Sequence, residues 1–117
     1  MSAPAVKEPG CGPLPLADHH CQNGAPRLGA AEIAAHLATL PGWTMEGQRI
    51  EKHFVFSAYH QTIAFVNAVA WIAERENHHP VLSVHYDQCA VAYATHSAGG
   101  VTLNDMICAA KIERVVA

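Results

Sequence analysis

Three histidines and two carboxylates occur at spacings that a small fold can bring together. Glu74 precedes His78 by one helical turn, so their side chains share a face if a helix extends that far. His79 follows directly, and His96 and Asp105 come later in the chain. Imidazole titrates near neutral pH, and a neighbouring carboxylate orients it and favours its charged form. The set therefore predicts general acid–base catalysis by groups that exchange protons at neutral pH.

Each of these residues also has a purely structural interpretation. A His-His-Pro run, here at 78–80, is typical of a polar helix terminus, where a histidine ring lies favourably beside the last carbonyl groups. His96 alone is an ordinary strand-end histidine, and Asp105 follows Thr102 at the spacing of a capping box. Three imidazoles would also suit a zinc ion. The sequence leaves these alternatives open, together with the question whether Asp105 reaches His96.

A second group of possible metal ligands lies near the N-terminus and consists of Cys11, His19, His20 and Cys21. Their types suit zinc, but their spacing matches no common zinc module, so we expect no metal there. They fall within residues 1–26, which hold five of the seven prolines and show no helical or alternating period. We therefore expect residues 1–26 to be a disordered or loosely attached tail and residues 27–117 to form one domain.

The hydrophobic pattern of residues 27–117 predicts elements in the order α-β-β-α-β-β-α. These are a helix over 29–40, strands over 43–47 and 48–56, a helix over 58–77, strands over 81–86 and 89–96, and a helix over 102–116. The second helix ends before Pro80, because the proline ring disfavours a helical conformation in the preceding residue. Two hairpins and three helices predict an α+β fold, in which a four-stranded antiparallel sheet carries the helices on one face.

The second predicted hairpin determines how the histidines converge. If Asp87-Gln88 is its two-residue loop, strand pairing places His79 opposite His96. Alternation then directs one row of side chains toward the core: Leu82, Val84, Tyr86, Cys89, Val91 and Tyr93. The other face carries small alanines, so we expect an open cleft beside the histidines.

The composition argues against several classes of protein. The 117 residues carry 7 Lys and Arg against 10 Asp and Glu, which gives no basic surface for nucleic acid or an anionic membrane. No apolar run is long enough to span a bilayer, and none forms the core of a signal peptide. We therefore expect a cytoplasmic protein whose four cysteines are free thiols.

Residues 28–117 resemble the signature of the pterin-4a-carbinolamine dehydratase family. The resemblance is carried, at fixed spacing, by Glu74, His78-His79-Pro80, Tyr86, His96 and Asp105. The predicted order of elements is also that of the family. The chain departs from the pattern at Val81-Leu82, where an acidic–aromatic pair often follows the histidines, and in its long N-terminal tail.

The resemblance implies a lyase, specifically a hydro-lyase that converts 4a-hydroxytetrahydropterin to quinonoid dihydropterin and water in tetrahydrobiopterin recycling. It implies that His78 and His96 are the acid–base pair and that His79 mainly binds the pterin. Glu74 and Asp105 would orient and polarise the histidines. A small-molecule pterin substrate, no metal or organic cofactor, and a homo-oligomer, either a dimer or a homotetramer, are implied as well.

The same resemblance also admits a non-catalytic role. Some members of the fold resemble a RuBisCO assembly factor encoded with carboxysomes, and others a dimerisation cofactor for a homeodomain transcription factor. Such a protein would have a protein partner, RuBisCO in the first case, rather than a pterin. The complete set of histidines and carboxylates favours catalysis, because a scaffold does not require converging imidazoles.

Overall fold

The computed structural model describes residues 15–117. In chain order its elements are a 3-10 turn Leu16–Asp18, α1 Ala30–Leu37, β1 Thr44–Glu46, β2 Arg49–Val55, α2 Tyr59–Glu76, β3 Val81–His85, β4 Gln88–Tyr93, a second 3-10 turn His96–Ala98 and α3 Leu103–Val116. The strands form one sheet in the order β1-β2-β4-β3, and every neighbouring pair is antiparallel. The predicted α+β fold and its order of elements are confirmed.

One face of the sheet forms the core with the helices. Ile50 and Phe54 of β2 lie opposite Tyr93 and Cys89 of β4, and Val91 lies between them. Since side chains alternate along a strand, all five point to the same face, and all are buried. The helical residues that complete this core include Phe65, Val69, Ile72, Met106 and Ile112.

The longest helix of the described region, α2, is buried along one stripe only. Phe65, Val69 and Ile72 recur at helical spacing and face the sheet, while Trp71 and Tyr59 are exposed. No helix within residues 15–117 is both long enough and apolar enough to cross a membrane.

The second hairpin differs from its predicted register by two residues. His85 pairs with Gln88, so the loop is Tyr86-Asp87 rather than Asp87-Gln88. A shift of two residues keeps every side chain on its predicted face, but it removes the predicted pairing of His79 with His96. β4 also ends at Tyr93, and His96 begins a 3-10 turn instead of closing a strand.

The predicted core face of this hairpin is only partly buried. Cys89, Val91 and Tyr93 of β4 are buried as expected, whereas Val84 is 43% and Tyr86 72% exposed. The physical reason is the position of β3 at the edge of the sheet, since the core helices pack over β2 and β4.

Part of the predicted tail is attached to the domain. Residues 15–26 lie along α2 and α3, where Lys111 donates to the carbonyl of Ala17 and Arg114 donates to Asp18. These contacts differ from the loose attachment expected for this stretch. Polar side chains of α3 form hydrogen bonds with a segment whose only regular structure is one 3-10 turn. The expectation for residues 1–14, including Cys11, lies outside the described residues.

Candidate active site

A fully buried carboxylate, Asp105, organises the site. Its Oδ1 accepts a hydrogen bond from His78 Nε2 at 2.6 Å. Its Oδ2 accepts from the Thr95 hydroxyl at 2.9 Å and from the Thr102 N–H at 2.8 Å. Thr102 in turn accepts from the Asn104 N–H, which completes the predicted capping box at the start of α3. Asp105 therefore caps the helix and binds a histidine at the same time.

Asp105 and Tyr93 fix the position of His78. Its side chain is 14% exposed, and its ring stacks on Tyr93 with centroids 5.2 Å apart and planes at 21°. The Tyr93 hydroxyl donates to the His78 carbonyl at 3.1 Å. The pKa of His78 is raised, mainly because the ring donates to Asp105, although burial of the ring acts in the opposite direction. His78 thus retains its proton to a higher pH than an ordinary histidine.

The turn that directs His78 inward begins at Asn77, immediately after α2. Asn77 has a left-handed backbone, with φ at 51°, and the His78 N–H donates back to the Ala73 carbonyl at 3.0 Å. Because α2 ends at Glu76, the predicted pairing of Glu74 with His78 is wrong. Glu74 Oε1 instead lies 3.4 Å from His79 Nε2.

The Glu74–His79 pair lies at the surface. The two side chains are 82% and 60% exposed, so their contact contributes little to stability. Glu74 lies in the last turn of α2, and His79 directly follows the partly buried His78.

His96 follows Thr95, whose hydroxyl donates to Asp105, and begins the second 3-10 turn. The main chains of Thr95 and Gly100 pair across this loop, with the Thr95 N–H donating at 2.9 Å, and Gly99 supplies the left-handed turn with φ at 73°. The exposed His96 lines an open cleft of about 300 Å³, together with Gln48, Arg49, Ala94, Thr95, Gly99 and Gly100. The sequence predicted a cleft over the alanines of the second hairpin, beside the histidines; of those residues, Ala94 and His96 line the observed cleft, whereas His78 and His79 do not.

Asp105 links these two histidine-bearing segments. It binds His78, which is followed by His79, and Thr95, which is followed by His96. The sequence left open whether Asp105 reaches His96; in the structure Asp105 binds Thr95, the residue before His96. Within residues 15–117 no three Cys, His, Asp or Glu side chains are arranged to hold a metal ion.

Two residues of the site were not predicted from the sequence. Thr95 and Tyr93 both contact the Asp105–His78 pair. A signal for Tyr93 was present, because it falls on the core face of its strand and a buried phenol requires a hydrogen-bond partner. Thr95 carried no comparable signal, since its role depends on the fold of the loop that follows it.

The chain is similar to several known proteins over most of its length. Residues 26–115 match the family described as pterin 4 alpha carbinolamine dehydratase. A protein of Dechloromonas aromatica with the provisional name pterin-4-alpha-carbinolamine dehydratase is 48% identical over 104 residues, covering 86% of this chain and 93% of its own. One of Chromobacterium violaceum with the same provisional name is 51% identical over 92 residues, covering 79% of this chain and 85% of its own.

Two solved structures share the fold. A transcriptional coactivator/pterin dehydratase from Brucella melitensis superposes with a TM-score of 0.75 at 32% identity, covering 78% of this chain and 99% of that one. A pterin dehydratase-like protein identified as a RuBisCO assembly factor in the alpha-carboxysome has a TM-score of 0.54 at 19% identity, covering 85% and 98%. The second likeness concerns the fold alone.

Proposed function

The chain belongs to the pterin-4-alpha-carbinolamine dehydratase family, and from this premise we propose that His78 and His96 dehydrate a 4a-hydroxytetrahydropterin by acid–base catalysis. The protein is an enzyme of the hydro-lyase class. The observation that carries the mechanism is the buried Asp105–His78 pair, at a distance of 2.6 Å.

Asp105 determines which nitrogen of His78 exchanges a proton. Because Nε2–H remains bound to the carboxylate, Nδ1 is the nitrogen left to face a substrate. The raised pKa of His78, due first to Asp105, favours the imidazolium form. His78 is therefore suited to protonate the departing hydroxyl, which leaves carbon 4a as water.

His96 would act as the base. As the C–O bond breaks, the electrons of a ring N–H bond form the new C=N bond of the quinonoid product, and His96 accepts that proton. The open cleft beside His96 supports this assignment, because a flat heterocycle needs access from solvent. Return of the proton from His96 to His78 through solvent completes the cycle.

His79 would bind the pterin, and Glu74, which contacts its ring, would orient it. Their contact leaves His79 oriented but accessible, with 60% of its side chain exposed. A scaffold protein of the same fold is the alternative, and the Asp105–His78 pair, which orients one ring nitrogen of His78 and leaves the other for a substrate, favours catalysis over it.

Stopped-flow measurement of 4a-carbinolamine breakdown tests the proposal. The wild-type chain should accelerate breakdown over buffer, and His78→Ala and His96→Ala should each lose about 100-fold or more, the usual contribution of a positioned acid or base. His79→Ala should mainly raise KM. His53→Ala, which alters an exposed histidine on β2, is the matched control. No acceleration by the wild-type protein contradicts the activity, and a fully active His96→Ala contradicts its assigned role.

A further inference from the structure

Two cysteines from distant parts of the chain meet beside the site but take no part in the proposed reaction. Cys21 Sγ lies 3.6 Å from Cys108 Sγ, although the residues are 87 positions apart. Cys108 is completely buried on α3, whereas Cys21 is partly exposed. Both are thiols, as is Cys89, the remaining cysteine within residues 15–117.

Hydrogen bonds on both sides of Cys21 hold its sulfur against α3. The Cys21 N–H donates to Glu76 Oε1 at 2.7 Å. The next residue, Gln22, exchanges two bonds with the Asn104 side chain, at 2.9 and 2.8 Å. These contacts fix the backbone of the segment, so the meeting of the two sulfurs is specified by the fold.

The surroundings of the two thiols shift their pKa values in opposite directions. The pKa of Cys108 is lowered, first because the Cys21 thiol hydrogen-bonds to it, with further contributions from the Tyr93 hydroxyl and the charge of His78. The same Cys21–Cys108 hydrogen bond, together with burial, raises the pKa of Cys21. Of the two thiols, Cys108 therefore gives up its proton more readily, which suits its sulfur to attack its neighbour as a nucleophile.

We propose that Cys21 and Cys108 form a redox-active dithiol, which a hydroperoxide converts to a disulfide that fastens the N-terminal segment to α3. An S–S bond of about 2.05 Å requires the sulfurs to approach by roughly 1.5 Å. The partly exposed Cys21 can supply that movement by rotating its side chain. This inference is independent of the proposed dehydratase activity.

The oxidation proceeds in two balanced steps. As the accessible Cys21 sulfur attacks the terminal peroxide oxygen, its proton passes across the hydrogen bond to Cys108. The O–O bond breaks, the departing oxygen takes that proton from Cys108 and leaves as an alcohol (water, from hydrogen peroxide), and Cys21 becomes a sulfenic acid. The Cys108 thiolate then attacks the Cys21 sulfur, and the hydroxide that departs takes up a proton and leaves as water. Overall two thiols lose two electrons and two protons, and the peroxide is reduced.

Intact-mass spectrometry of the full chain after hydrogen peroxide treatment tests the proposal. The mass should fall by two hydrogens, digestion should yield one peptide pair joined through Cys21 and Cys108, and dithiothreitol should reverse both changes. Cys21→Ser and Cys108→Ser should each abolish the joined pair. Cys21→Ser lies in the surface segment, so it remains informative if the buried Cys108→Ser variant does not fold.

Two matched controls separate this pair from the remaining thiols. Cys89→Ser, which alters a buried thiol on β4, and Cys11→Ser should both retain the two-hydrogen loss. The proposal is overturned if oxygen atoms accumulate on Cys21 without a disulfide. It is equally overturned if the joined pair contains Cys11 or Cys89, or if the mass of the wild-type chain does not change.

Discussion

At the level of single residues, Asp105 combines two functions that the sequence suggested separately. Its place in a capping box could be predicted from Thr102, three residues earlier. Its histidine partner could not, because the sequence left open whether Asp105 reaches His96, and in the structure its partner is His78. The difference arises at Asn77, whose left-handed backbone turns the chain inward. A single unusual residue conformation therefore changed the partner of the buried carboxylate.

Asp105→Asn should separate these two functions. The amide oxygen can still accept a hydrogen bond from the Thr102 N–H. The amide nitrogen then faces His78 and, as a donor, cannot accept a hydrogen bond from the ring. His78 should then present the wrong tautomer, and dehydratase activity should fall by about 100-fold or more. The titration midpoint of His78, measured by NMR, should fall as well, since the first cause of its raised pKa is removed. Glu74→Gln is the matched control and should leave that midpoint unchanged.

The same variant should alter the dependence of stability on pH. Because the folded pKa of His78 is raised above its ordinary value of about 6.5, the stabilisation it provides is complete below that value and is lost as pH rises through the folded pKa. The free energy of unfolding of the wild type, from urea titrations between pH 6 and 9, should decrease over this window. Asp105→Asn should show a smaller decrease, and an identical slope in both proteins would contradict the pairing.

At the level of elements, hydrophobic alternation predicted the faces of the second hairpin but not its register. Two adjacent dipeptides, Tyr86-Asp87 and Asp87-Gln88, are equally short loops, so local sequence does not distinguish them. Hydrogen bonds from residues outside the hairpin fix the loop at Tyr86-Asp87. The Thr62 hydroxyl donates to the Tyr86 carbonyl at 3.0 Å, and the Phe56 N–H donates to the Asp87 carbonyl at 2.8 Å. Such long-range bonds cannot be derived from a local pattern.

The end of α2 can be tested at its left-handed residue. Asn77→Ala should lower the free energy of unfolding by roughly 1 kcal/mol, because a Cβ without a polar side chain is disfavoured in that conformation. Asn77→Gly should be at least as stable as the wild type, and therefore more stable than Asn77→Ala, since glycine adopts positive φ readily. Urea unfolding of the three proteins provides the measurement. Equal stability of the alanine and glycine variants would show that the turn does not require this backbone.

At the level of the whole molecule, the sequence predicted a separate tail, whereas part of it lies on the domain. Composition indicated correctly that residues 15–26 lack regular secondary structure beyond one 3-10 turn. Composition carried no information on the hydrogen bonds that Cys21 and Gln22 donate to Glu76 and Asn104, because those partners are distant in sequence. The meeting of Cys21 with Cys108 was unpredictable for the same reason.

A homo-oligomer is the remaining expectation at this scale, and α2 is the surface where we expect it. Trp71 is 65% exposed, and the positions on the same helical face include two small residues, the exposed Ala64 and the half-buried Ala68. An exposed indole flanked by small residues suits close packing of a second helix, and a symmetric contact would bury the same face of both copies.

Light scattering during size-exclusion chromatography should therefore give a molar mass that is a multiple of the 12.5 kDa chain. Trp71→Lys should shift that mass toward the monomer, because a charged side chain at the centre of an apolar interface is costly to desolvate. Val55→Lys, at the end of β2, supplies a comparable exposed hydrophobic position on the face of the sheet opposite α2 and should leave the mass unchanged. A wild-type protein that elutes as a monomer at all concentrations would contradict self-association, and an unchanged assembly in Trp71→Lys would place the interface elsewhere.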